Sequence, residues 1–215
     1  MLRSVIVLSC LLLFTSCKNN SPEEFTHYYE DGRAKPVVAI APIIDSTMND
    51  FSWSLSDEFK SLILNRASKK GSLFIKNDHE NFIPSSENPF SEDISWVKKE
   101  YAPFEFVVFL ELMEHEKVPI QKTNYHANTS SNLNISFRIR VIDIRSNEPK
   151  VVLQEVVKDS FYVARNIAPA DYDVVSWGTD DYSATPMSTS HIKITKEVVE
   201  RINDYILLAK SRWNG

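Results

Sequence analysis

Glycine is scarce in this sequence of 215 residues. The chain holds only Gly32, Gly71, Gly178 and Gly215, where average usage near 7% gives about fifteen. No two of them are spaced as a phosphate-binding loop, a dinucleotide fingerprint or a nucleophile elbow requires. The sequence therefore excludes enzyme classes that depend on a glycine-rich backbone cradle.

Cysteine is rarer still, and both copies, Cys10 and Cys17, lie near the N-terminus. Arg3 precedes an apolar run of about ten residues from Val5 to Phe14, which is typical of a secretory signal peptide. The run is too short for a transmembrane helix, which needs about 20 residues. We therefore predict that residues 1–16 are a signal peptide.

The residues Phe14-Thr15-Ser16-Cys17 resemble the lipobox of bacterial lipoproteins. In such proteins the cysteine thiol receives a diacylglycerol, the chain is cut before it, and the new amino group is commonly acylated, for example with palmitate. The resemblance implies lipid attachment at Cys17; an ordinary signal peptide with an incidental cysteine is the alternative. Lys18 stands where an aspartate would signal retention in the inner membrane. This favours the outer membrane, with the protein facing the periplasm.

Removal of residues 1–16 would leave Cys17 as the only thiol, itself blocked by lipid. The mature chain would then contain no disulfide, thiol nucleophile or zinc–thiolate site. The formal net charge of −5 and the exported compartment also argue against a nucleic-acid partner. Residues 17–35 are polar and lack periodicity, so we predict a flexible tether followed by one domain at residues 36–215.

The patterns after the tether predict an α/β (α+β) fold. We expect a mixed β-sheet with a β-α-β-α-β start, a long antiparallel hairpin, and a C-terminal helix packed on the sheet. Ser52 or Ser54 is expected to cap the first helix and Gly71 to end it. The predicted elements are strands at 37–44, 72–76, 104–113, 133–141 and 150–163, and helices at 55–70, 90–101 and 190–213. The strand at 133–141 is expected to be half-exposed, because its apolar residues alternate with Asn134, Ser136, Arg138 and Arg140.

This pattern resembles a group of envelope proteins that includes the curli secretion lipoprotein CsgG, the LpoB-type activators of peptidoglycan synthases and the N-terminal domain of TolB. The matching segments are residues 37–45, 55–75, 140–152 and 185–187. Members of the group mostly assemble or hold a partner and are not enzymes. The resemblance assigns a role to one residue, the lipid-bearing Cys17.

Candidate sites for chemistry are weak. Glu111, Glu114, His115 and Glu116 form the densest metal-like cluster, but on a strand Glu114 and Glu116 face away from His115, so we predict a solvated strand end. Asp45, Ser46, Thr47 and Asp50 are interpreted as a turn before the next helix. The histidines His27, His79, His126 and His191 show no spacing that joins one to a serine and an acid. No catalytic, cofactor-binding or metal-binding residue is predicted.

Trp177 is the candidate for partner contact. It is flanked by acidic residues within a long polar segment, 164–190, which acts either as a binding surface or as a lid over the core. The leading hypothesis is a membrane-anchored, non-catalytic accessory module that binds an envelope protein and no small-molecule substrate. The alternatives are a subunit of a CsgG-like secretion channel, with strands of about 10 residues entering the bilayer, and a hydrolase with an unrecognised site.

Overall fold

A computed structural model describes residues 27–76, 87–120, 130–163 and 175–212. The described part forms a six-stranded mixed sheet with helices packed on it, which confirms the predicted fold class. The strands are β1 (Val37–Ile40), β2 (Ile44–Asp45), β3 (Phe74–Ile75), β4 (Phe106–Pro119), β5 (Ser131–Asp143) and β6 (Lys150–Val163). The helices are α1 (Leu55–Lys70), α2 (Ser95–Glu100), α3 (Asp180–Ser183) and α4 (Pro186–Ser211).

The strand order in the sheet is β3-β1-β4-β5-β6, and β2 pairs separately with β4. Strands β1, β2 and β3 run parallel to their neighbours, whereas β4, β5 and β6 form an antiparallel meander. The predicted single strand at 37–44 was wrong, because it is divided into β1 and β2 around Pro42. Proline has no N–H to donate to a strand ladder.

Strand β4 is longer than predicted, since it continues past Met113 to Pro119. A register shift between Leu112 and Glu114 marks a bulge where β2 ends. Beyond the bulge, β5 alone pairs with β4 among the described strands. The β5–β6 hairpin has the predicted position, although Arg140, expected on a half-exposed strand, is only 6% exposed.

The main core lies between one face of the sheet and the helices α1 and α4, and is centred on Phe59, Phe137 and Ile194. A smaller core on the other face packs Val97 and Tyr101 against β4. Helix α2 is shorter than the predicted 90–101, because side chains of the preceding residues bond to the backbone as turns rather than as helix.

The two long helices begin and end where cap chemistry requires. Ser54 caps α1 by accepting a hydrogen bond from the Asp57 N–H, and Gly71 ends it in the left-handed region with φ of 69°. Thr185 caps α4 by accepting from the Ser188 N–H, with Pro186 in the first turn. Helix α4 therefore starts four residues before the predicted Ser190.

Parallel strands joined by helices give the domain two distinct ends. At the basal end, β1, β3 and β4 begin, α1 and α2 end, and the β5–β6 turn lies close to Phe106. At the crest, β1 and β2 end and α1 and α4 begin. The chain enters at the basal end, where His27 stacks on Phe74 and the Tyr29 hydroxyl donates to the Ser72 carbonyl at 2.6 Å.

Candidate functional site

A buried cluster of polar side chains lies below the crest, where α1, β4, α3 and α4 meet. Glu58 comes from the first turn of α1, His115 from β4, Tyr182 from α3 and His191 from α4. Their exposed fractions range from 0% for His191 to 6% for His115. Because buried ionisable groups are costly unless paired, the contacts within this cluster decide its role.

Glu58 and His191 form the centre of the cluster. His191 Nδ1 lies 2.7 Å from Glu58 Oε1, and the Tyr182 hydroxyl donates to the same oxygen at 2.6 Å. The indole N–H of Trp53 donates to Glu58 Oε2 at 2.9 Å. Both carboxylate oxygens are therefore occupied by donors.

His115 extends the cluster on the other side of His191. The two Nε2 atoms lie 2.9 Å apart, so one ring donates a proton and the other accepts it. The contact joins β4 in the sheet to α4 above it. Together with Glu58 it forms a continuous hydrogen-bonded chain from α1 through α4 to β4.

Opposing effects set the ionisation of Glu58. Burial raises the pKa of Glu58, but the hydrogen bond and charge of His191, together with the hydrogen bonds of Tyr182 and Trp53, outweigh burial and leave the pKa below its ordinary value. The carboxyl group is therefore ionised at neutral pH.

For His115 the balance favours the uncharged ring. Burial, reinforced by the charge of His191, lowers the pKa of His115 from 6.5 to about 3. The neighbouring Glu58 opposes this shift only in part. His191 therefore lies between the carboxylate of Glu58 on one side and the neutral imidazole of His115 on the other.

Aromatic side chains surround the cluster. Phe51 meets His115 edge-on at a centroid distance of 5.5 Å, and Trp53 meets Tyr182 in the same way at 5.5 Å. Phe59 packs on the His191 ring at 4.5 Å. These rings exclude water, which strengthens the hydrogen bonds inside.

The chemistry open to this arrangement is limited. In a hydrolytic triad an acid orients a histidine whose second nitrogen faces a nucleophile, whereas His191 Nε2 faces the ring of His115. Among the described residues, no group of three or more metal-ligating side chains is placed to hold a metal ion. The geometry suits a rigid polar cross-link between helices and sheet.

Sequence reasoning did not find this cluster. The sequence predicts no partner for His191, and the helix dipole alone explains an acid such as Glu58 in the first turn of α1. The available signal was the position of Glu58 between Leu55 and Phe59, on the apolar face of α1. A carboxylate at such a position requires buried donors, but only the fold could show that His115 and His191 lie beside it.

The side chains of the metal-like cluster in strand β4 do not come together around one point. Glu111 pairs with Arg138 at 3.2 Å and Glu114 with Lys158 at 2.6 Å, both on the outer face of the sheet. His115 points to the inner face, as the alternation of a strand predicts.

The acidic turn after β2 matches the predicted turn. Asp45 accepts hydrogen bonds from the backbone N–H and the hydroxyl of Thr47, and the Ser46 hydroxyl donates to Glu111 at 2.7 Å. Asp50 is exposed.

Trp177 lies at the crest and is 36% exposed. Its neighbour Val175 is buried in the main core, Ser176 bonds to Ser52 at 3.2 Å, and Gly178 turns the chain with φ of 93°. The fully exposed Met48 lies on the facing crest segment between β2 and α1. The tight turn fixes the backbone on each side of an accessible indole.

Several predicted features lie outside the described residues: Cys17, His79, His126, the signal peptide, most of the tether and residues 164–174 of the long segment. The division into signal peptide, tether and domain therefore remains a prediction. In the described part of the chain, no helix has the length and apolar character needed to cross a membrane.

The fold and the cluster define an α+β domain whose polar centre is sealed within the core. The chain belongs to DUF7499, a family of unknown function, whose profile matches residues 24–210. A comparison with curated proteins gives no match.

Several solved structures are similar to this chain, and those of CT253 and XCC0632 share its fold. The hypothetical protein CT253 from Chlamydia trachomatis is 26% identical with a TM-score of 0.66, over 80% of this chain and 98% of that chain. Protein XCC0632 from Xanthomonas campestris, of family DUF330, is 7% identical with a TM-score of 0.51, over 83% of this chain and 90% of that chain. Lipoprotein GNA1162 from Neisseria meningitidis is 8% identical with a TM-score of 0.37, over 63% of this chain and 86% of that chain. This similarity is too distant to bear on function.

Proposed function

We propose that the protein is a lipid-anchored envelope module that binds a partner protein through its crest and carries out no reaction of its own. The observation that carries the proposal is the polarity of the domain. The chain from Cys17 enters at the basal end, and the exposed Trp177 and Met48 lie at the opposite end.

Anchoring rests on the lipobox resemblance and on the length of the tether. Nine residues lie between Cys17 and His27, and the ten steps from one to the other would span about 18 Å as a flexible coil. Such a tether holds the basal end near the bilayer and leaves the crest facing the periplasm. Two or three acyl chains hold far more firmly than one myristoyl chain.

Binding at the crest is supported by its composition. An indole on a tight turn contributes apolar contact area at low entropic cost, and tryptophan is enriched among residues that dominate interface energy. Asp180 and Asp181 follow Trp177 on α3, so a partner with basic residues around an apolar pocket would fit.

The buried cluster supports a non-catalytic role. Glu58 and His191 have the chemistry of an acid and a base, but they are 1% and 0% exposed and their polar atoms bond to one another. A hydrolase would need a nucleophile within reach of substrate and of His191. Turnover of a generic ester, phosphoester or glycoside that a single His191 substitution abolishes would favour the enzyme hypothesis instead.

The anchor is tested by lipid labelling in cells. Cys17→Ala should abolish incorporation of labelled palmitate, whereas Cys10→Ala should label normally. Persistent labelling of Cys17→Ala would refute the anchor. Density-gradient separation of the two membranes tests the outer-membrane assignment, which Lys18 favours.

The partner surface is tested by site-specific photocrosslinking in the native envelope. A crosslinker at Met48 should give one discrete product, and Trp177→Ala should remove it. A crosslinker at Tyr205, which is 36% exposed like Trp177 but lies on α4, is the matched control. No product at Met48, or the same product at both positions, would contradict the proposal. A separate observation, ring-shaped oligomers of the protein in detergent, would favour the secretion-channel alternative.

A further inference from the structure

The two ends of the domain differ in charge. All three helices that end at the basal end carry lysines in their last turns: Lys69 and Lys70 in α1, Lys98 and Lys99 in α2, and Lys210 in α4. Of the helices that begin at the crest, α1 carries Asp57 and the buried Glu58 in its first turn and α3 carries Asp180 and Asp181, whereas α4 carries no acid there. Each placement is favoured by the helix dipole, and together they separate the charge between the ends.

The basic end is continuous with the point where the tether enters. Lys35 lies against the Tyr29 ring, and Tyr29 in turn bonds to the loop that follows Gly71 at the end of α1. Lys69 and Lys70 are exposed and make no ion pair with any other described residue. In a chain of net negative charge, free lysines at this end are a local excess.

A groove between α1 and α4 extends this surface along the helices. On the α1 side the groove is lined by Leu62, Arg66, Lys69 and Lys70, and on the α4 side by Ile192, Thr195 and Glu200. The exposed ring of Tyr28, beside the tether, adds an aromatic of the kind enriched at membrane interfaces. Cations beside apolar surface suit a phospholipid, whose head group is charged and whose chains are not.

We propose that the basal end, with Lys35, Lys69 and Lys70 at its centre, docks on the anionic head groups of the membrane that holds the anchor. This inference rests on the proposed function for the position of the bilayer. The tether of about 18 Å keeps these lysines within one or two Debye lengths of the lipid surface, where the attraction is felt. Docking orients the domain and directs the acidic crest and Trp177 away from the membrane.

The surface is tested with the chain from residue 17 carrying Cys17→Ala, so that no lipid anchor contributes. Sedimentation with vesicles of phosphatidylcholine and phosphatidylglycerol should carry down the protein, and vesicles of phosphatidylcholine alone should not. Raising the salt concentration should release it. The double variant Lys69→Gln/Lys70→Gln should weaken binding about 25-fold, because each lysine near an anionic surface contributes about fivefold.

The matched control is Lys193→Gln/Lys196→Gln, which removes the same charge from the exposed side of α4 and should leave binding unchanged. Equal loss in both variants, or equal binding to both kinds of vesicle, would overturn the proposal. Circular dichroism confirms that each variant is folded. Lipid labelling at Cys17 is a separate measurement, so failure of the anchor and failure of the docking surface are distinguishable.

Discussion

The buried His115 makes the stability of the protein depend on pH. In the folded state, burial and then the charge of His191 lower the pKa of the His115 imidazole from 6.5 to about 3. Between these two values the unfolded chain binds a proton that the folded chain does not. Stability is therefore complete above about pH 6.5 and falls as the pH is lowered toward 3.

The size of the effect follows from the shift. One pKa unit corresponds to about 1.4 kcal/mol. Lowering the pH from 7 to 5 should therefore reduce the unfolding free energy by about 2 kcal/mol through His115. Urea denaturation at the two pH values measures this loss. In His115→Gln, which does not titrate, the loss between pH 7 and pH 5 should be smaller by about 2 kcal/mol.

Tyr182→Phe is the matched control, because it removes the hydroxyl that contacts Glu58 and His191 and leaves the imidazole of His115 in place. It should lower stability at both pH values by about 1 kcal/mol and keep the pH dependence of the parent protein. If His115→Gln keeps the full loss between pH 7 and pH 5, His115 is not a buried neutral ring and the account of the cluster is wrong.

Two further predictions concern residues outside the cluster. Arg140→Met should lower the unfolding free energy by about 2–4 kcal/mol, because the buried guanidinium donates to the carbonyls of Pro89 and Ser91. Arg138→Met, which loses a half-buried ion pair with Glu111 and the contact with the Phe90 ring, should cost about 1 kcal/mol. Thr185→Ala should cost about 1 kcal/mol through loss of the α4 cap, and Thr185→Ser should restore most of it; both series are read by urea denaturation.

Local patterns in the sequence predicted much of the fold. The alternation of apolar and polar residues located the β5–β6 hairpin, and side-chain capping with a left-handed glycine located both ends of α1. These signals are local, because each depends on residues only a few positions apart.

The errors arose where distant contacts decide the structure. Strand β4 extends to Pro119 because β5 pairs with it along its whole length. Arg140 is buried because the segment at Pro89 covers it. No local pattern carries such information.

The candidate site shows the same division. The turn at Asp45 follows from local sequence, whereas the contact between His191 and Glu58 joins residues 133 positions apart. A buried acid on the apolar face of α1 signals that a partner exists, but the fold alone identifies the partner.

The central claim is that the domain stands on the membrane by its basal end and presents its crest outward. The proposed processed form would contain no free thiol, because Cys10 would be removed and Cys17 lipidated. Lys70→Cys and Asp181→Cys could therefore each carry one fluorophore in vesicles that contain a head-group quencher. We expect strong quenching at position 70 and little at position 181. Equal quenching at both positions, or stronger quenching at position 181, would contradict the account.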